Sequence, residues 1–179
     1  MQVLVIGAGI NGIATASFLQ QRGFAVSLLE RNSSISSKAL AASAEYPQFS
    51  QLLATVAGCI SFESGVSGLS ALNDLVSGVR VGEQLLRADY YVLAAGKSSP
   101  CLLRQIGIRH PRWRRKGFRL VANAAPFLGR CSYANLLLNG GDASMDWTLA
   151  CAWAQYLTDL LSGRPAVSAA NAADPLCYR

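Results

Sequence analysis

The sequence predicts an α/β fold in which a parallel sheet is covered by helices and a small antiparallel β layer lies beside it. The first observation is a strand, helix and strand pattern over residues 2–29. The second is a Gly7-x-Gly9-x-x-Gly12 spacing at the first strand-to-helix turn. The third is a series of short β-prone runs after residue 59, separated by Gly, Asn and Asp turns. Together these patterns favour a parallel core with added hairpins.

The opening pattern predicts a complete βαβ unit. Gln2 to Ile6 is expected to be a buried strand, because its continuous Val-Leu-Val-Ile run is typical of a strand covered on both faces. Ile10 to Arg22 is expected to be a helix with an apolar packing face, and Gly23 follows as a helix stop. Ala25 to Leu29 is a second apolar run and supplies the second strand.

The later elements are predicted from apolar runs bounded by turn residues. Arg31 to Ala44 is rich in Ser and Ala without a clear period, which indicates a loop. Predicted helices are Gln48 to Val56, Ser98 to Ile106 and Met145 to Leu161. Predicted strands lie within residues 59–69, 75–81 and 83–96, where Tyr90 to Leu93 is the clearest, and at Gly117 to Ala122 and Asn135 to Leu138.

Composition and charge indicate one folded domain. The chain has 179 residues, of which 51% are hydrophobic and 15% charged, so residues 1–179 are expected to form a single domain with a buried core. The formal net charge is +6, and six of the sixteen basic residues lie between Arg109 and Arg119. Such a run is more often a solvated face or a partner surface than a nucleic-acid site, so no nucleic-acid partner is expected.

The cysteines and the histidine exclude several kinds of site. The five cysteines are scattered without a CxxC pair, which argues against structural zinc and a disulfide framework. A reducing compartment fits this usage, so a cytoplasmic location is expected. His110 is the only histidine, which leaves little basis for a metal site or a hydrolytic triad. No stretch has the length of a transmembrane segment.

The glycine spacing predicts a Rossmann-like nucleotide-binding turn. Gly7 permits the tight turn, Gly9 lets a pyrophosphate approach the backbone, and Gly12 allows close helix-to-strand packing. Glu30 ends the second strand, where its carboxylate can accept hydrogen bonds from ribose hydroxyls and would repel a 2′-phosphate. NADP is therefore disfavoured. The alternative is a glycine-rich turn with a surface glutamate and no ligand.

The βαβ unit alone leaves FAD and NAD open, and the rest of the chain favours FAD. The segment ADYYVLAAGKSS, Ala88 to Ser99, resembles the strand and glycine turn by which many flavoproteins bring a second backbone turn near the flavin nucleotide. The alternative is an ordinary buried strand that ends at Gly96. An NAD-binding protein remains the third reading of the chain.

With these segments in order, the chain resembles the D-amino acid dehydrogenase branch of the D-amino acid oxidase-like FAD oxidoreductases. The resemblance lies in GAGINGIATASFLQQRGFAVSLLER, in ADYYVLAAGKSSPCLLRQIGIRHPRWRRKGFRL and above all in NLLLNGGDASMDWTLACAWAQYLTDLLSGRPAV. It implies a Rossmann-like FAD/NAD(P)-binding domain that holds FAD and oxidises an amine or amino acid by hydride transfer to the flavin.

The resemblance also implies a set of cofactor-binding positions. In the family the closing glycine turn and the helix after it approach the flavin ring, and a serine-containing loop lies near the pyrophosphate. Together with the glycine motif and its acid, the candidate positions are Gly7, Ala8, Gly9, Ile10, Asn11, Gly12, Glu30, Arg31, Ser37, Val66, Ala95, Gly96, Gly140, Gly141, Trp147 and Thr148. No catalytic residue and no metal ligand is predicted.

The chain also departs from the family. The stretches near Tyr46 and near Leu120 to Ala125 are short where the family inserts its substrate domain, so most of that domain is expected to be absent. The family's Gly-His-Gly turn is Gly141-Asp142-Ala143 here. Two hypotheses follow: an FAD-dependent oxidoreductase of minimal size, or a non-catalytic dinucleotide-binding module that needs a partner chain. A homo-oligomer is a further alternative, because the missing domain would leave apolar surface bare.

Overall fold

The computed structural model describes residues 1–36, 39, 44, 47–109, 128–140 and 146–165, with the backbone alone at residues 146–148. Two sheets and four α-helices have bounds that lie within these ranges. The strands are β1 Gln2–Ile6, β2 Ala25–Leu29, β3 Ile60–Ser61, β4 Val66–Leu72, β5 Leu75–Val81, β6 Gln84–Leu86, β7 Tyr90–Leu93, β8 Leu128–Arg130 and β9 Leu136–Asn139. The helices are α1 Ile10–Gln21, α2 Pro47–Val56, α3 Ser99–Gln105 and α4 Asp146–Leu161.

The first βαβ unit forms as predicted because β1 is covered on both faces. Val3 and Val5 point into the core beneath α1, whereas Leu4 and Ile6 point into the core on the opposite face of the sheet. This alternation between two cores explains why the strand is apolar at successive positions. β1 and β2 pair in parallel, and α1 ends at Gln21, two residues before Gly23, whose φ of +83° suits a glycine after a helix.

The main sheet has a strand order in which the direction of sheet growth reverses next to β1. The order is β3-β2-β1-β7-β9-β8, and the strands are parallel except for β8, which pairs antiparallel with β9. The chain first builds outward from β1 to β2 and β3 and then returns to add β7 on the other side of β1. Ligands of open α/β sheets bind at such a switch point, beyond the carboxyl ends of the strands.

The three-stranded sheet β4-β5-β6 is the predicted antiparallel layer. It is built from two hairpins, and the first turns at Asn73 and Asp74, which both adopt positive φ. The sheet buries Val76 and Val79 in the same core as Leu4. The side chain of Asn135 holds it to the main sheet, because its Oδ1 accepts from the Val76 N–H at 2.8 Å and its Nδ2 donates to the Val76 carbonyl at 2.9 Å.

The helices form a layer over one face of the main sheet, apart from α3, which packs on the other face. α1 is buried along most of its circumference because α2 and α4 both pack against it. Small residues such as Ala14 and Ala16 let these neighbours approach closely. Arg22, after the end of α1, forms an ion pair of 3.0 Å with Asp159 of α4.

The predicted fold class is confirmed, and most predicted elements within the described residues are recovered with ends shifted by a residue or so. The run 59–69 contains two strands, β3 and β4, and β4 continues to Leu72, while the run 83–96 divides into β6 and β7. Ala39 and Ala44 are helical, so the loop prediction is wrong at those two positions. The predicted strand Gly117 to Ala122 lies outside the described residues. Cys59, Cys101, Cys131 and Cys151 are free thiols. In the ranges given above, no helix combines the length and apolarity needed to cross a bilayer.

Candidate nucleotide-binding site

The glycine loop lies at the switch point, between the end of β1 and the start of α1. The Gly7 N–H donates to the Leu29 carbonyl at 2.8 Å, which extends the pairing of β1 with β2 by one residue. Gly7 has a φ of +105°, and a Cβ at this position would lie 2.7 Å from the Ala94 carbonyl oxygen. The turn and the adjacent loop after β7 are thus in direct backbone contact, which a side chain would prevent.

Gly12 lets α1 approach the end of β1. A Cβ on Gly12 would lie 1.8 Å from the carbonyl oxygen of Gly7, far inside any tolerated contact. The helix therefore packs against the turn through bare backbone. This geometry agrees with the packing role that the sequence assigns to the third glycine.

Gly9 is the glycine whose Cα faces open space. Apart from its chain neighbours and the backbone of α1, no described residue has an atom within 4 Å of a Cβ built there, and its φ of −74° and ψ of 178° are open to any residue. Within the described part of the chain, neither space nor backbone conformation therefore requires glycine at this position. Gly9 is the N-cap of α1, without a side-chain cap, and the first helical turn carries no acidic residue.

The first turn of α1 is consequently suited to an anion. The first N–H groups of a helix have no intrahelical acceptor, and the helix dipole places partial positive charge at this end. The first bond within the helix is donated by the Ile13 N–H to the Gly9 carbonyl. Ile10 begins the helix and is half-buried, and Asn11 is buried. A phosphate group approaching Gly9 would meet backbone donors and positive potential.

Glu30 lies directly beside the glycine loop, as the sequence predicts. It is 8% exposed, and its Oε2 accepts from the N–H of Ala8 at 3.0 Å. Its Oε1 accepts from both the backbone N–H of Asn32 at 3.0 Å and the Asn32 Nδ2 at 2.7 Å. The carboxylate therefore connects the loop after β1 with the loop after β2. Asn32 is a site neighbour that sequence reasoning missed.

The loops after β2 and β7 meet across the carboxyl end of β1. Arg31 is exposed, and its Nη1 donates to the Ser98 Oγ at 3.3 Å. Ser98 belongs to a short 3₁₀ turn, Gly96–Ser98, in which Gly96 has a φ of +54° and open space where a Cβ would be. Ala95 precedes this turn and packs against the core that contains Leu4 and Ile6. Arg31, Ala95 and Gly96 are thus gathered near the glycine loop.

The other predicted positions lie at varied distances from this cluster. Val66 is the half-buried first residue of β4, and the chain leading to it is fixed to the Glu30 segment because the Ser64 N–H donates to the Glu30 carbonyl at 2.8 Å. Gly140 follows β9 at the same carboxyl edge of the sheet as Gly7. Trp147 and Thr148 lie in the first turn of α4, and their side chains are outside the described atoms. Ser37 and Gly141 lie outside the described residues.

A buried polar connection links α1 to the end of β9, and sequence reasoning missed it. The Asn139 Nδ2 donates to the Thr15 Oγ1 at 3.0 Å, and that hydroxyl donates to the Asn11 carbonyl at 2.7 Å. Thr15 and Asn139 are both fully or almost fully buried. The available signal was a polar residue at the end of an apolar strand and another inside an apolar helix. This connection joins the glycine loop to the strand that leads to Gly140.

The described part of this site has binding groups and few reactive ones. Glu30, Arg31 and the exposed Lys97 supply its charged side chains, and the other groups are backbone N–H, glycine, amide and apolar side chains. Among the residues whose positions are described, no group of three His, Cys, Asp or Glu side chains could hold a metal ion. These groups suit the binding of an anionic ligand, and the described residues among them form no cluster for acid–base or nucleophilic chemistry.

The fold is that of the Rossmann-like FAD/NAD(P)-binding class, with a parallel sheet, covering helices and a small antiparallel sheet. Residues 2–52 match the family model described as DAO, FAD dependent oxidoreductase. The resemblance to the D-amino acid oxidase-like FAD oxidoreductases, drawn above from the sequence, is thereby confirmed. The matched segment contains β1, the glycine loop, α1, β2 and Glu30.

Several solved structures share the fold over nearly the whole chain. L-proline dehydrogenase from P. horikoshii matches with a TM-score of 0.73 at 10% identity, over 98% of this chain and 97% of that one. Iminodiacetate oxidase from Chelativorans sp. BNC1 matches with a TM-score of 0.71 at 12% identity, over 97% and 98%. Glycine oxidase from Bacillus cereus ATCC 14579 matches with a TM-score of 0.68 at 14% identity, over 93% and 98%. At these identities the similarity shows a shared fold.

Proposed function

We propose that this chain binds FAD at the β1–α1 turn and acts as an oxidoreductase on an amine or an amino acid. The observation that carries the proposal is the pairing of an open Gly9 at an uncapped helix N-terminus with a buried Glu30 whose carboxylate contacts the same loop. The DAO family match over residues 2–52 covers both features. The proposal thus rests on a geometry and on a sequence pattern that agree.

The described residues fit the nucleotide part of FAD. The pyrophosphate would lie against Gly9 and the first turn of α1, where no described side chain fills the space and the helical turn itself carries no acidic residue. The adenosine ribose would lie by Glu30, whose carboxylate accepts hydroxyl donors. Gly96, with open space at its Cα, and Val66 would line the nucleotide pocket.

The negative charge of Glu30 affects which dinucleotide the site would accept. A carboxylate beside the ribose repels a 2′-phosphate, so NADP is disfavoured. FAD is preferred to NAD because the matching family model is that of FAD dependent oxidoreductases. NAD is the alternative that a side-by-side titration excludes or supports.

The flavin, when bound, supplies the acceptor for hydride from the carbon that bears the amine. The residues of this chain bind the nucleotide and fix where the ring lies. By the family resemblance, Gly140, Gly141 and the start of α4 with Trp147 and Thr148 are placed toward the ring. Since the cofactor carries the electron chemistry, a site without an acid–base cluster among its described residues is compatible with this reaction.

The substrate class comes from the neighbours and the family resemblance. The proteins with the same fold are named for L-proline, iminodiacetate and glycine, which are all amines or amino acids. We extend this class to the present chain. The narrower hypothesis is a D-amino acid dehydrogenase, because the segment from Asn135 to Val167 resembles that branch.

A second candidate function is a non-catalytic dinucleotide-binding module or a subunit completed by a partner chain. The observation in its favour is the shortness of the stretches near Tyr46 and near Leu120 to Ala125, where the family inserts its substrate domain. Such a module would bind FAD by the same loop without oxidising an amine.

Two measurements made on the same purified protein separate these functions. Titration with FAD and, in parallel, with NADH is followed by flavin or nicotinamide fluorescence, and the proposal expects saturable FAD binding and none of NADH. Anaerobic addition of D-alanine, glycine, L-proline or iminodiacetate then tests for bleaching of the flavin absorbance. Bleaching by one of them supports the oxidoreductase, and FAD binding without bleaching supports the module. Failure to bind FAD overturns both.

A further inference from the structure

The carboxylate of Glu30 already accepts hydrogen bonds from protein donors. An ionised carboxylate offers about four acceptor positions, two on each oxygen. Oε1 receives the backbone N–H of Asn32 and the Asn32 Nδ2, so both of its positions are used. Among the described residues, the N–H of Ala8 is the one donor to Oε2. With respect to these residues, one acceptor position remains, and it lies on the oxygen next to the glycine loop.

Asn32 decides which oxygen stays available. The terminal torsion of a glutamate side chain is broad, so the carboxylate of a free Glu30 would rotate with little cost. The two donors of Asn32 engage one oxygen and stop this rotation. The bond from Nδ2, at 2.7 Å, is the shorter one and is made by a side chain that is otherwise exposed. A surface asparagine thus holds a buried carboxylate in one orientation.

We propose that Asn32 is a positioning residue for nucleotide recognition, which acts through Glu30 and selects nucleotides that present a free ribose hydroxyl at the glycine loop. The proposal rests on the proposed function, since it concerns the same dinucleotide site. With Oε1 occupied, a ribose hydroxyl can donate to Oε2 without displacing a protein donor. Preorganisation of this kind increases the affinity for the nucleotide, because the carboxylate does not have to lose rotational freedom when the nucleotide binds.

The test compares two nucleotides that differ only in the ribose hydroxyls. ADP carries the adenosine ribose and the pyrophosphate of FAD, and 2′,3′-dideoxy-ADP lacks both hydroxyls. Their dissociation constants are measured by calorimetry for the unaltered protein and for Asn32→Ala. A hydrogen bond that positions a charged group is worth about a factor of ten or more, so Asn32→Ala should weaken ADP about tenfold. The dissociation constant of the dideoxy nucleotide should change less than about twofold, because this nucleotide has no ribose hydroxyl that could donate a hydrogen bond to Glu30.

Two further variants separate positioning from size and folding. Asn32→Asp has nearly the same shape but brings a second carboxylate to Oε1, so it should weaken ADP at least as much as Asn32→Ala. Asn32→Ser keeps a short donor and should recover part of the affinity. Ser33→Ala, at the exposed neighbouring position, is the matched control and should bind both nucleotides as the unaltered protein does. Thermal melts of all four variants check that the fold is retained.

The outcomes distinguish this inference from the function on which it rests. If the unaltered protein binds neither ADP nor FAD, the proposed function fails and the role of Asn32 fails with it. If the unaltered protein binds ADP and Asn32→Ala weakens both nucleotides equally, only the role of Asn32 is overturned. If Asn32→Asp binds ADP as tightly as the unaltered protein, the contact at Oε1 has no positioning effect and the inference is likewise overturned.

Discussion

Replacement of Gly9 by alanine separates ligand binding from folding at the glycine loop. A Cβ at this position would meet no atom within 4 Å in the described part of the chain, its own neighbours and the α1 backbone aside, and the backbone angles suit alanine. Alanine is a poorer N-cap than glycine by roughly half a kcal/mol, and the loss of unfolded-state freedom returns about the same amount. We therefore expect the free energy of unfolding to change by less than about 0.5 kcal/mol.

The same methyl group should nevertheless impair FAD binding. It would occupy the open space over the first turn of α1, where a phosphate would receive backbone N–H donors. Loss of one or two charge-assisted hydrogen bonds costs roughly 1.5–3 kcal/mol each, which corresponds to at least about a tenfold increase in the dissociation constant. Flavin fluorescence titration measures the affinity, and urea unfolding followed by circular dichroism measures the stability.

Gly12→Ala is the matched comparison, because its Cβ would lie 1.8 Å from the Gly7 carbonyl oxygen. This backbone contact cannot be relieved by a side-chain rotation, so the variant should lose about 3 kcal/mol of stability or fail to fold. Gly9→Ala should therefore weaken FAD binding with little change in stability, whereas Gly12→Ala should lower the stability. The reasoning is refuted if Gly9→Ala binds FAD as tightly as the unaltered protein, or if it is destabilised as strongly as Gly12→Ala.

Three further predictions concern groups away from the glycine loop. Burial raises the pKa of the Cys131 thiol to about 11. Iodoacetamide at about pH 8 should therefore modify the exposed Cys101 and leave Cys131 unmodified until the protein unfolds. Peptide mass spectrometry would measure the modification of each cysteine. The amide of Gln155 and the guanidinium of Arg22 lower the pKa of Asp159 below its ordinary value of 3.8. The ionised Asp159 therefore stabilises the fold above that ordinary value, and this contribution is lost as the pH falls through the lowered pKa. In acid-unfolding curves, the Asp159→Asn variant should lose less stability than the unaltered protein between about pH 4 and pH 2. Equal slopes for the two proteins would contradict this prediction. Asn135→Ala removes both side-chain partners of buried Val76, so urea unfolding should show a loss of about 3 kcal/mol, whereas a loss below about 1 kcal/mol would show that Asn135 does not hold the two sheets together.

The sequence predicted those parts of the fold that depend on local patterns. The run Val3 to Ile6 must be covered on both faces to be favourable, so a buried parallel strand followed from its letters alone. The glycine spacing identified the turn because Gly7 and Gly12 answer different steric needs, which their contacts show. Glu30 followed from its place at the end of β2.

The contacts that the sequence did not reveal are made between residues distant along the chain, or by residue types with several common roles. Asn139 and Thr15 are far apart in sequence, and their hydrogen bond exists only because β9 is placed beside α1. Asn32 is close to Glu30, but a polar residue after a strand is usual in a loop and signals no particular contact. β8 was missed because Leu-Gly-Arg is too short to show a period.

The central claim is that FAD binds at the carboxyl edge of the main sheet, against the glycine loop. An amide chemical-shift titration of the isotope-labelled protein with FAD tests it most directly. We expect saturable shifts concentrated at Gly9, Gly12, Glu30 and Gly96, because these residues surround the proposed pyrophosphate and ribose positions. Shifts confined to other surfaces, or a spectrum unchanged by excess FAD, would contradict the account.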